Sequence, residues 1–344
     1  MKLPLPLTYA PMEAKLVAEL PSGEEWQYEP KFDGFRCLAF KDGSEVDLRS
    51  KSGQPFSRYF PEIVAALEKL PADRFVLDGE LVVPDGERLS FDELLMRIHP
   101  ARSRVERLAR EHPALMIVFD LLVDEAGAAL VSQTLSERRV ALERFVERNA
   151  AEGDSLVRLA PCTTTRSAAN EWLHSLGSGL DGIIAKRRDL PYRTGERTGM
   201  QKWKRMRTAE CVVGGFRYAS KGEVVGSLLL GLYDRAGLLH HVGYTSNIKA
   251  QDKPGLTTKL ESLVQAPGFT GNSPGGPSRW STERSGEWQP LATELVVEVQ
   301  YDHFSGGRFR HGTRFLRWRP EKSPQQCTFE QVEEESRTPL ELLN

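Results

Sequence analysis

The run Glu29-Pro30-Lys31-Phe32-Asp33-Gly34-Phe35-Arg36 places an amine beside a carboxylate, a glycine and an arginine. Only a neutral amine is nucleophilic, so a lysine attacks a phosphorus centre when neighbouring cations lower its pKa. Lys31 so placed reads as a covalent nucleotidyl-lysine. Taken alone, the run reads equally well as an ordinary lysine where a strand enters a turn.

Nucleotidyl transfer also needs cations on the α-phosphate, a purine platform and a divalent metal to neutralise the leaving pyrophosphate. Downstream runs offer each of these. They are Arg49-Ser50-Lys51-Ser52-Gly53, Leu77-Asp78-Gly79-Glu80-Leu81, Val118-Phe119-Asp120-Leu121-Leu122, Asp181-Gly182-Ile183-Ile184-Ala185-Lys186, Lys202-Trp203-Lys204 and Arg317-Trp318-Arg319-Pro320-Glu321-Lys322. Lys202 and Lys204 stand two apart, so on a strand they share a face, from which both reach an α-phosphate and disfavour protonation of Lys31. Without the other runs they read as solvent-facing lysines of an amphipathic strand. Phe119, inside an apolar strand, reads by itself as core.

This ordered set resembles the motifs of the covalent nucleotidyltransferases, and most closely the ATP-dependent DNA ligases. Among those it is similar to the small bacterial C-type ligases, which lack an N-terminal DNA-binding domain. The resemblance runs from Glu29 to Lys322. It implies Lys31 as the nucleophile that carries AMP, with Lys202, Lys204, Arg319 and Lys322 also catalytic. It implies Glu29 at the purine, Phe119 stacked on adenine, and Arg36 and Arg49 at the ribose and phosphates. By charge the two arginines also suit the 5′-phosphate of a nick. Glu80 would serve the ribose or the metal, Lys186 would lie near the α-phosphate, and Arg317, Arg319 and Lys322 would lie over the pyrophosphate. The cofactors implied are ATP and Mg2+ or Mn2+, with Glu80 and Asp181 on the metal. Asp181 stands where the family usually has glutamate, and Glu321-Lys322 where it usually has Asp-Lys. Charge is kept at both places, and Asp181, one methylene shorter, would reach its metal through water.

The implied reaction seals nicks in three steps: lysyl-AMP, DNA-adenylate, then attack by the 3′-hydroxyl. Implied partners are nicked double-stranded DNA and repair proteins such as a primase-polymerase or an end-binding protein, with the chain a monomer. A capping guanylyltransferase shares the Lys31 run, and an RNA ligase shares the chemistry but usually lacks the last motif. A silent nick-binding or end-bridging protein is the non-enzymatic alternative.

Composition is compatible with this reading. The 344 residues suit two domains, and 40% hydrophobic content lets each bury a core. No apolar run approaches the ~20 residues of a membrane span, no start resembles a signal peptide, and a cytoplasmic protein is expected. Cys37, Cys162, Cys211 and Cys327 lie far apart without a C-x-x-C, as reduced, mostly buried cysteines would. A net charge of −2 does not exclude DNA binding, because affinity follows local charge. Cations gather at Arg197, Lys202, Lys204, Arg205, Arg207, Arg217 and Lys221, interrupted only by Glu210, and again from Arg308 to Lys322.

Alternating apolar residues predict β-hairpins over Arg36 to Asp47 and Phe75 to Leu89, each around an Asp-Gly turn. Helices are expected at Pro61 to Leu70, Ser136 to Asn149 and Ser167 to Leu176, where Ser167 could cap. Leu115 to Val123 and Gly182 to Lys186 read as buried strands. The fold expected is α+β, an adenylation domain over 1–207 with antiparallel sheets and flanking helices. A small, partly open OB-type β-barrel follows over 208–344. Its strands are Glu210 to Tyr218, Val224 to Tyr233, Leu238 to Tyr244, Thr293 to Tyr301 and Arg314 to Trp318, with a helix near Leu256 to Val264. The Gly/Pro/Ser-rich run 269–286 is read as a mobile loop or a DNA grip.

Overall fold

The computed structural model describes the whole chain except residues 87, 151–154, 177–178, 221, 276–286, 334–338 and 344. Most of the 269–286 run therefore lies outside the described residues. The chain divides into two compact units, Met1–Lys204 with Glu335–Asn344, and Arg205–Glu334.

The first unit is built on two sheets. The larger is ordered Glu45–Ser50, Phe35–Asp42, Arg74–Val82, Leu115–Val123 and Val157–Leu159, antiparallel except for its last pair. Side chains alternate across it. Cys37, Ala39, Phe75, Leu77, Met116 and Val118 point to a core closed by Ile63, Leu67, Leu94, Leu142 and Phe145 from flanking helices. The smaller sheet runs Lys15–Leu16, Met200–Lys204, Gly182–Arg187, Trp26–Lys31. On it Trp26, Tyr28, Ile183 and Ala185 pack together with Leu173 of the helix Arg166–Ser175. That leaves Gln27, Glu29 and Lys31 on the opposite face, toward the pocket described below.

The hairpin over Arg36 to Asp47 forms as expected. The one over Phe75 to Leu89 does not. Arg74–Val82 takes its partners from Phe35–Asp42 and Leu115–Val123, and only Pro84–Asp85 pairs with Arg88–Leu89. Helices occupy Pro61–Lys69 and Leu135–Asn149, the latter opened by a reciprocal Thr134–Glu137 capping box. Ser167 does not cap: it lies inside Arg166–Ser175, whose N-cap position is Thr165. The helices Phe91–Arg97 and Arg102–Glu111 were not foreseen.

In the second unit the sheet order is Leu239–Thr245, Val225–Tyr233, Arg207–Tyr218, Val296–Tyr301, Arg314–Trp318, with Gln289–Pro290 also paired to Arg207–Tyr218. All five expected strands are present. Among the described residues the pairing stays open, and no ladder closes it into a barrel. Its core gathers Val213, Phe216, Leu228, Leu230, Val242, Val297 and Val299, with Leu260 from the helix Lys253–Glu261.

Candidate active site

A pocket within the first unit is lined by Glu29, Lys31, Ile184, Lys186, Met200 and Lys202 from the smaller sheet. The larger sheet contributes Arg36, Glu80 and Phe119, and Met12, Ala14 and Lys51 complete the wall. Sheet register brings these residues together: Gly182 pairs with both Lys31 and Lys204, and Ile184 with both Glu29 and Lys202. Gly182 has a φ of +155°, and a Cβ there would lie 2.0 Å from the Trp203 carbonyl oxygen. A side chain between the nucleophile strand and the strand of Lys202 is therefore excluded. Gly34 is required for a similar reason, since its Cβ would fall 2.2 Å from the Leu81 carbonyl oxygen.

Lys31 Nζ donates to Asp181 Oδ2 at 2.5 Å. Burial pulls its pKa down, but Asp181, then Glu80 and Asp33, outweigh that and the net shift is upward. This corrects the expectation that neighbouring cations hold Lys31 neutral. Asp181 at the amine favours its ammonium form. The downward shift falls on Lys202, through burial and then the charges of Lys31, Lys204 and Lys51. Desolvation pushes the Glu80 carboxyl up to about 7, against the pull of Lys31 and Arg36.

Arg36 is held from behind. Its Nε and Nη2 donate to the two oxygens of fully buried Asp78 at 2.5 and 2.6 Å, and Tyr192 Oη donates to the same carboxylate at 2.6 Å. Its guanidinium carbon lies 4.4 Å from the Phe119 ring centre, as does Lys186 Nζ. The strand carrying Phe119 is fixed by its next residue, Asp120, which accepts two bonds from buried Arg138. Glu29 is buried, with Gln27 Nε2 donating to Oε1 at 2.9 Å and Lys186 Nζ ion-paired to Oε2 at 2.6 Å.

The pocket thus gathers Glu29, Lys31, Arg36, Glu80, Phe119, Lys186 and Lys202, with Asp181 bonded to Lys31. Arg49 does not line it. It pairs with Asp47, and Lys51 from the same run takes the place at the wall. Arg317, Arg319 and Lys322 belong to the second unit and are paired there: Arg317 with Glu298 at 2.6 Å, Arg319 with Glu210, Glu298 and Glu321, and Lys322 with Glu210 at 2.7 Å. Sequence reasoning missed Gln27, Met12, Ile184 and Met200. Alternation along Trp26–Lys31 was the one available signal, and it pointed to Gln27 alone.

Two carboxylates at the nucleophile fit a divalent cation, since Mg2+ commonly takes one or two carboxylates and completes its shell with substrate phosphates and water. Among the described residues no group of three or more His, Cys, Asp or Glu could hold a metal by itself. Also among them, no helix is long and apolar enough to cross a membrane.

An amine, paired acids, cations and an aromatic ring meeting between two sheets define a nucleotidyl-transfer pocket. The profile described as ATP dependent DNA ligase domain matches residues 11–204, and that of the ATP dependent DNA ligase C terminal region matches 221–322. The chain belongs to the ATP-dependent DNA ligases. It is 43% identical over 354 residues to DNA ligase C2 of Mycolicibacterium smegmatis, covering 97% of this chain and 96% of that one. It is 31% identical over 310 residues to the multifunctional non-homologous end joining protein LigD of Mycobacterium bovis, covering 89% of this chain and 38% of that protein. A solved Lig E DNA ligase, 18% identical, shares the fold with a TM-score of 0.56 over 90% of this chain and 99% of the other.

Proposed function

We propose that this ATP-dependent DNA ligase seals 3′-hydroxyl/5′-phosphate nicks in double-stranded DNA during repair, through AMP carried on Lys31. The observation that carries the reading is that Lys31, paired with Asp181, lines one pocket together with Lys202 and Phe119.

Lys31 attacks the α-phosphorus of ATP, an N–P bond forms, and the bond to pyrophosphate breaks. The ammonium must first lose a proton, and Asp181, at hydrogen-bond distance, is positioned to take it. Lys202 and Lys204 would stabilise charge on the α-phosphate, with Lys186 and Lys51 nearby. Phe119 would stack on adenine, with Ile184 and Met200 as the opposing apolar wall. Glu29 would meet the purine edge. Arg36, preset by Asp78, would hold ribose or phosphate, as would Arg49 after leaving Asp47. Glu80 and Asp181 would hold Mg2+ or Mn2+. When bound, that ion supplies charge neutralisation on the phosphates.

The unit 1–207 would serve as the adenylation domain, and 208–344 as the OB-type domain. From the latter, Arg317, Arg319 and Lys322 would orient the departing pyrophosphate, exchanging Glu210 and Glu298 for phosphate oxygens. AMP then passes to the 5′-phosphate, and the 3′-hydroxyl displaces it. Relatives named for non-homologous end joining support a role in repair; a cytoplasmic monomer that works beside a primase-polymerase or an end-binding protein is part of the same proposal. The test is incubation with α-labelled ATP, GTP or NAD. Label from ATP alone, released by acid and retained in alkali as a lysyl phosphoramidate, is expected; no protein-bound label from ATP would overturn the reading.

A further inference from the structure

We propose that Gln27 is a positioning residue for purine selection, fixing the Glu29 carboxylate so that it offers an acceptor to the 6-amino group of ATP. The proposal rests on the reading above that Glu29 meets the purine edge.

Gln27, Glu29 and Lys31 lie at alternate positions of Trp26–Lys31 and share a face, and Gln27 stands directly across from Lys186 in the sheet. Glu29 therefore lies diagonally from Lys186, within reach of both. The two carboxylate oxygens are held differently: Oε2 is ion-paired to Lys186 Nζ at 2.6 Å, and Oε1 accepts a hydrogen bond from Gln27 Nε2 at 2.9 Å. A lysine alone is a point charge that a carboxylate can follow by turning about its last bond. A second donor on the other oxygen stops that rotation. The amide can serve only with its nitrogen toward Glu29, because its oxygen would face another acceptor. All three residues are at most 4% exposed, so water does not compete for these contacts.

The chemistry of the base follows from the clamp. An ionised carboxylate has acceptor positions only, so its remaining lone pairs suit a base that presents N–H. Adenine carries an amino group at C6. Hypoxanthine and guanine carry a carbonyl there, which would meet the carboxylate acceptor to acceptor. Arg139, 7% exposed on the helix Leu135–Asn149 and paired there with Glu143, also acts electrostatically on Glu29.

The experiment measures the second-order rate constant of self-labelling with ATP and with purine riboside 5′-triphosphate, which has hydrogen at C6, in the full-length protein. The variants are Gln27→Met, nearly isosteric without the donor, Gln27→Asn, with the donor drawn back by one methylene, and Glu29→Ala. Loss of one hydrogen bond that orients the acceptor should lower the ATP-to-analogue ratio by about 3–10-fold in both Gln27 variants. The change should lie in the ATP rate, with the analogue rate and the thermal midpoint near wild type. Glu29→Ala should collapse the ratio further. If Glu29→Ala collapses it while both Gln27 variants keep the wild-type ratio, the positioning role is overturned and the reading of Glu29 survives. If Glu29→Ala itself leaves the ratio unchanged, Glu29 does not read the base, and both ideas are overturned.

Discussion

Lys31 Nζ lies 2.5 Å from Asp181 Oδ2, and the next residue, Gly182, pairs with Lys31 on one side and must lack a side chain to lie against Trp203 on the other. The nucleophile's ammonium form is therefore favoured by its own counter-ion, in a pocket where burial, and then crowded positive charge, shifts Lys202 downward instead. Reactivity then depends on the proton leaving Lys31 once ATP is bound.

Lys31→Ala should abolish self-labelling by ATP and nick sealing, yet retain sealing of DNA that already carries a 5′-adenylate, because the last step does not use the amine. Gel assays on both substrates check this. Undiminished self-labelling by the variant would remove Lys31 as the nucleophile.

Asp78 should prove structural as well as preparatory. It is fully buried and accepts two bonds from Arg36 and one from Tyr192 Oη. Removing one partner of such a buried ionic group leaves an uncompensated charge, at a cost of roughly 3–5 kcal/mol. Asp78→Ala should lower the denaturation midpoint of the first unit accordingly, with Asp78→Asn intermediate. A midpoint unchanged for Asp78→Ala would mean that Arg36 is satisfied elsewhere.

Much of this site was legible because strand periodicity is local. Alternation put Glu29 and Lys31 on a shared face that lines the pocket, which Lys202 also lines without Lys204, and the strands bearing Phe119 and Lys186 formed within a residue or so of expectation. What failed was non-local. The Phe75 to Leu89 hairpin read well from its turn, but Arg74–Val82 found more extensive pairing with strands distant in sequence. The protonation of Lys31 was misjudged because its deciding neighbour is 150 residues away. Gln27 carried no motif, and an amide four residues before a lysine has no meaning until Lys186 is seen opposite it.

Acid should loosen the second unit through His241. Burial first, then Arg308 and Arg217, depress its imidazole to about 4, and its buried Nε2 has no hydrogen-bond partner among the described residues. A folded pKa below the ordinary value of about 6.5 means that the unfolded chain binds the extra proton in between. The stability is complete above about pH 6.5 and is lost as pH falls toward 4, by about 1–3 kcal/mol. Wild type should lose stability relative to His241→Phe across that window, so the difference between their melts should shift in the variant's favour from pH 7 to low pH. Parallel curves would show that His241 does not contribute.

The cations of the last motif are held by acids of their own unit: Glu210 bridges Arg319 and Lys322, and Glu298, its cross-strand neighbour, holds Arg317. If these cations serve the departing pyrophosphate, they must trade carboxylates for phosphates, and the first step alone needs them. A charge-assisted hydrogen bond is worth roughly 1.5–3 kcal/mol, so Arg319→Ala or Lys322→Ala should slow self-labelling about 10–100-fold. Sealing of pre-adenylylated nicks should change little. Equal losses in both assays would point to DNA contact or folding instead. Glu210→Gln separates those cases, because it keeps both cations and weakens only their restraint. Self-labelling should then reach half-maximal rate at the same or lower ATP concentration, with sealing unchanged, whereas a structural role for the Glu210 bridge would impair both steps together and lower the thermal midpoint of the second unit.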